Sequence, residues 1–130
     1  MVKGNSSINL TCSSLLDFYK KWLLFIKPLE PISKLGTKPM EALAVLLTKR
    51  YEISKGVTEP KLIPQLLFSV ETRNCVMESI ETSKAGYYNL ISLFKSIGVI
   101  QNGDLNRRII PDISNNKFTL LVAFNINETD

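Results

Sequence analysis

The chain has 130 residues, 45% of them apolar, enough for one domain with a short extension and too many for a disordered tail. Sixteen lysines and arginines face twelve acids, yet the excess is local: residues 1–35 carry five cations against two acids, and residues 36–130 carry eleven against ten. A general basic coat is thereby excluded, and most of the chain offers little of the phosphate neutralisation on which non-specific nucleic-acid affinity rests.

In chain order, the first element is "SINLTC", where Ile8, Leu10 and Cys12 alternate with polar neighbours and predict a short edge strand. Ser14, with Asp17 three residues on, makes a helix cap. Behind it Leu15, Phe18, Tyr19, Trp22, Phe25 and Ile26 recur at three- and four-residue steps until Pro28 ends the helix. "KPLEPISKLG" reads as a linker, dividing the chain into a strand-helix extension (1–35) and a second unit (36–130). There Thr37 caps a helix that tolerates Pro39 in its first turn, with Met40, Leu43, Ala44, Leu47 and Tyr51 as one apolar stripe. "SKGVTEP" is a loop, and "KLIPQLLFS" suits a helical turn or a strand equally.

A third helix is expected over residues 70–80. A fourth, capped by Thr82, covers 83–97 with Tyr87, Leu90, Ile91, Phe94 and Ile97 inward, and Gly98 should close it in a left-handed conformation. Two strand-like runs follow, "DLNRRIIPDI" and "KFTLLVAFNI", joined at Asn115-Asn116, with Pro111 confining the first to an edge. Two helices and then two strands in this order predict an α+β winged helix-turn-helix, preceded by the N-terminal strand and aromatic helix.

The same reading weighs against catalysis. There is no histidine, so the commonest general base and the usual zinc sets are missing. Cys12 and Cys75 are far apart and form no CxxC, which suits two reduced, buried thiols. Glu78 and Glu81, three residues apart, read as a solvated helix face, and no glycine loop has phosphate-cradling spacing. No catalytic residue, metal site or cofactor is expected. Lys3 is followed by polar "GNSSINLT", so no secretory leader is expected, and "WLLFI" is too short to span a bilayer.

Binding is the alternative. In a winged helix the second helix and the wing meet DNA, which makes Lys84, Tyr88, Asn89, Lys95, Arg107 and Arg108 the candidate contacts. The aromatic helix carries more apolar surface than one stripe can hide, and surplus apolar surface marks a partner face. Phe18, Trp22, Phe25 and Tyr88 are the candidate interface residues.

The segments "TKPMEALAVLLTKR", "TSKAGYYNLISLFKSIGVIQNGDLNRRIIPDI" and "KFTLLVAFNI" resemble small winged-helix proteins encoded by crassviruses and related tailed phages of gut Bacteroidota. The likeness covers about residues 36–126 and rests on the "SxxKxxGVI" helix, the "LNRRIIP" strand and the alternating "FTLLVAF" strand; the aromatic helix falls outside it. The resemblance implies either a virion part, including rings stacked beneath the portal, or a regulator. With the near-neutral second unit and the surplus apolar helix, the expected function is a non-enzymatic structural protein of the virion. It would form a multimeric ring or collar near the portal-tail junction, made in the host bacterial cytoplasm. Its expected partners are copies of itself and portal or tail components, with at most weak DNA contact and no membrane. The alternative is a winged-helix DNA-binding transcriptional regulator.

Overall fold

The computed structural model describes residues 9–120 and 125–127. Over these the chain is mostly helical, with five α-helices followed by one short antiparallel hairpin. The first helix, α1 (Leu15–Phe25), starts where the sequence places it: the Ser14 hydroxyl accepts from the Asp17 N–H at 3.1 Å. The Asp17 carboxylate in turn accepts from the Ser13 N–H at 2.9 Å and from Lys21 at 2.6 Å. Residues 9–12 lie in no strand, and Ile8 is outside the described residues. The expected N-terminal strand has no long edge to pair with, because the hairpin strands are only two residues each.

Helix α2 (Thr37–Gly56) is the centre of the molecule. Its cap is Gly36, one residue before the expected Thr37, and it runs on through "SKG", which the sequence reading assigns to a loop. Six successive residues, Ala42 to Leu47, are buried. A single stripe is therefore too narrow a description. Helix α1 packs on α2, as do the short α3 (Leu62–Leu67) and α4 (Val70–Ser79), so α2 is enclosed round its circumference as a core helix is. The ambiguous "KLIPQLL" is helical, and Pro64 sits in its first turns where no amide partner is lost.

Residues 27–36 do not behave as a free linker. Ile32 and Leu35 are buried in the core, and a 3-10 turn spans Ile32–Lys34. The Lys27 ammonium donates to the carbonyls of Ile32, Ser33 and Leu35 at 3.3, 3.0 and 2.8 Å, using its three protons to close the loop. This cation is already engaged within the fold by these three carbonyls.

Helix α5 (Lys84–Ser96) follows α4 after a four-residue turn, and its cap is Ser83, not Thr82; the Ser83 hydroxyl accepts from the Gly86 N–H at 3.0 Å. Tyr87 and Phe94 face the core, with Leu90, Ile91 and Ile97 partly buried beside them. Both helices end in the same way. Thr82 N–H reaches Met77 O and Glu81 N–H reaches Glu78 O after α4, while Val99 N–H reaches Phe94 O and Gly98 N–H reaches Lys95 O after α5. Each closure needs one left-handed residue. At α5 it is Gly98, φ +85°, as expected; at α4 it is Glu81, φ +52°.

The two sites should therefore respond oppositely. Gly98→Val forces a β-branched residue into a left-handed conformation and should destabilise by about 1–2 kcal/mol or more. Glu81→Gly removes the equivalent strain and should stabilise by about 1 kcal/mol. Urea unfolding of both variants followed by circular dichroism checks the pair.

The strands depart most from expectation. Strand β1 (Ile100–Gln101) pairs antiparallel with β2 (Asp104–Leu105), and Asn102-Gly103, φ +54° and +77°, forms the two-residue turn. This is the Asn-Gly hairpin signal, with both central residues left-handed. The run "DLNRRIIPDI" stops being a strand at Asn106. That side chain is buried, donates to Gly98 O at 3.0 Å and accepts from the Arg108 N–H at 2.9 Å, which folds Arg107–Ile109 into a 3-10 turn. Asn115 and Asn116 do form the expected turn, bridged by Ser114 and Lys117, but residues 118–120 are in no strand. Residues 121–124, the middle of the expected second strand, lie outside the described residues. None of the described helices is long and apolar enough to cross a membrane.

Candidate interaction surfaces

The aromatic helix divides its apolar residues between two uses. Tyr19, Leu23 and Ile26 enter the common core with α2. Burial pushes the Tyr19 phenol well above its ordinary range, so it stays neutral. The opposite side meets the end of the chain. Trp22 Nε1 donates to Ile109 O at 2.8 Å, and Phe118 packs edge-on against Trp22 and Phe18, centroids 5.2 and 5.8 Å away. Phe18 and Trp22 are thus half-covered by their own chain. Phe25 stacks on Trp22 at 6.2 Å and remains 57% exposed; Leu24 (68%) and Leu29 (62%) are equally open. The open surface is at the C-terminal end of α1.

A second surface lies along α5. Lys84, Tyr88, Ile91 and Lys95 recur at four-, three- and four-residue steps, so they share one face of the helix. Tyr88, Ile91 and Lys95 line a groove of ≈ 320 Å³ whose other wall comes from Phe68, Val70 and Arg73, with Ile100 and Gly103 of the hairpin at its end. Arg73 Nη1 donates to the Tyr88 hydroxyl at 2.9 Å, and its guanidinium lies 5.8 Å from that ring's centre. Arg73 Nε is buried and meets no acceptor among the described residues. Asn89, about a quarter-turn away from the Lys84–Lys95 line, is exposed but does not line the groove.

The sequence-based candidates are therefore only partly assembled. Tyr88 and Lys95 come together in the groove; Arg107 and Arg108 are exposed in the 3-10 turn, not on a strand. Arg73 is missing from the sequence-based set. It stands on α4, fifteen residues from Tyr88, and only the packing of two helices brings it there.

Electrostatics remove further cations from the surface inventory. Arg50 is held by Asp104 through two hydrogen bonds, Nε to Oδ1 at 3.0 Å and Nη2 to Oδ2 at 2.8 Å. Burial raises the Asp104 carboxyl, but the Arg50 hydrogen bonds, the Leu105 N–H and nearby positive charge outweigh it and leave it below its ordinary value. Lys21 pairs with Asp17 and Lys49 with Glu52. Cys12 and Cys75 are free thiols, half-buried where the sequence suggested full burial.

No protein-family model matches this chain, and no curated protein or solved structure matches it.

Proposed function

We propose that this protein is a non-enzymatic assembly component of a tailed-phage virion, built into a multimeric ring or collar near the portal-tail junction. The observation that carries the multimeric part is the open apolar end of α1: Leu24, Phe25 and Leu29 stay exposed while twenty other apolar residues among those described are buried. Leaving a Leu or Phe in water forgoes about 1.5–3 kcal/mol of burial per side chain. Three large apolar side chains left open within six residues suit a permanent neighbour better than solvent. The virion setting rests on the resemblance of residues 36–126 to crassvirus winged-helix proteins.

Phe25→Glu is expected to lower the mass of the multimer in light-scattering chromatography without changing the circular dichroism spectrum. Peptides of the chain are expected in the mass spectrum of purified virions. A wild-type chain that is monomeric at every concentration, or absent from virions, overturns the proposal.

The DNA-binding regulator is the second reading, favoured by one observation: α4, a tight turn, α5 and the β1–β2 hairpin follow in winged-helix order, with the hairpin as a very short wing. Lys84, Tyr88, Asn89 and Lys95 are exposed on the second helix. With Arg107 and Arg108 the chain offers about four cationic phosphate contacts, which gives weak, steeply salt-dependent binding. Submicromolar, sequence-dependent duplex binding at physiological salt would replace the structural proposal with this one.

A further inference from the structure

We propose that the groove between α4 and α5 receives residues 125–130 of a second copy of this chain. This contact rests on the assembly reading above but uses a different surface from the end of α1.

The groove has two kinds of lining. Phe68, Val70, Ile91 and Ile100 make it apolar, while Arg73 and Lys95 make it cationic, and no carboxylate lines it among the described residues. Arg73 Nε is buried and meets no acceptor among the described residues, a costly state for a donor. An anionic segment with an apolar anchor complements both kinds of lining, its charge meeting Arg73 and Lys95 and its anchor the apolar residues.

The sequence "NINETD" has that composition. Its apolar residue Ile126 is 81% exposed, and all its charges are negative, Glu128 and Asp130. The last cation of the chain is Lys117. In an extended backbone, alternate side chains share a face about 7 Å apart. Ile126, Glu128 and Asp130 then form one row, an anchor followed by two carboxylates, with Asn125, Asn127 and Thr129 on the other side. That row matches a groove with an apolar floor and a cation on each wall. Ile126 fills the floor, and the carboxylates meet the Lys95 ammonium and the Arg73 guanidinium.

Tail and groove are different surfaces, so the contact is head-to-tail. Repeated from copy to copy, it closes a ring when the rotation allows and extends as a filament when it does not. It also occupies the exposed line of α5 that DNA would need.

The test is a charge swap in the full chain, measured by sedimentation velocity across protein concentration and salt. Lys95→Glu and Glu128→Lys are both expected to weaken association about tenfold, which is the effect of losing a partly desolvated charge pair. Mixing the two variants is expected to restore it, because each then offers the other a complementary half. Ile126→Asn is expected to weaken association without changing its salt dependence. Association unaltered in Lys95→Glu and Glu128→Lys, yet lost in Phe25→Glu, overturns the groove contact and leaves the assembly reading standing. A tail that folds onto its own groove also overturns it: Lys95→Glu would then leave the sedimentation of a monomer unchanged. Loss of association in every variant with no recovery on mixing likewise counts against it.

Discussion

Trp22→Ala is expected to lower the unfolding free energy by about 2–3 kcal/mol, below the range for a fully buried aromatic because Trp22 is half-covered. Trp22 is the only tryptophan, and it joins three parts of the chain. It lies on α1, donates to Ile109 O at 2.8 Å, and packs edge-on against Phe118. Without it the segment after the hairpin loses both its hydrogen-bonded and its aromatic anchor on α1. Trp22→Phe separates the two contributions. It keeps much of the ring packing but leaves the Ile109 carbonyl without its donor, at a cost of about 1–2 kcal/mol. Urea titrations followed by far-ultraviolet circular dichroism measure both. Equal losses in the two variants would mean that the hydrogen bond, not the packing, secures the segment.

The second large effect belongs to Arg50 and Asp104. Their paired hydrogen bonds tie the C-terminal half of α2 to the hairpin, and the side chains are only 19% and 26% exposed. Arg50→Met strands a partly buried carboxylate and should destabilise by about 3 kcal/mol; Asp104→Asn strands the guanidinium at a similar cost. The double variant should be less destabilised than the sum of the two, since no unpaired charge remains.

The pair also makes a pH signature. The Asp104 carboxyl is held below its ordinary value in the folded chain, so the unfolded chain takes up a proton first as the pH falls. Its contribution is complete above the unfolded carboxylate range, about pH 4, and disappears as the pH drops through the folded value. Wild-type urea midpoints should therefore fall more steeply below about pH 4 than those of Asp104→Asn. Parallel curves would show that the carboxyl titrates alike in both states.

Local chemistry was written plainly in the sequence. The Ser14–Asp17 cap, the helix boundaries near residues 70 and 97, the left-handed Gly98 and the turn at Asn115-Asn116 each depend on residues within one or two turns of one another. Such features follow from backbone sterics and short-range hydrogen bonds, which neighbouring residues supply. Asn102-Gly103 was equally legible, although the β-branched composition of the runs around "SNN" pointed to a hairpin there instead. Composition expresses how well a residue suits a strand, and it cannot say whether a partner edge exists.

Everything that depends on long-range neighbours required the tertiary structure. Periodicity showed that α2 has an apolar face, but burial of all six residues from Ala42 to Leu47 follows from three other helices packing round it. Proline and lysine made residues 27–36 look like a linker, whereas Lys27 and the buried Ile32 and Leu35 fasten them to the core. The strand through "NRRIIP" was cancelled by one side chain, Asn106, whose amide found the Gly98 carbonyl eight residues back. Arg73 could not be linked to Tyr88 and Lys95 until α4 lay against α5. By itself the sequence determined that helices lie near residues 15–25, 37–51, 70–80 and 83–97, because their apolar spacing and capping residues are local. Only the packing decided which apolar residues remain in water and which cations are already engaged, because both are properties of the surfaces that distant segments cover.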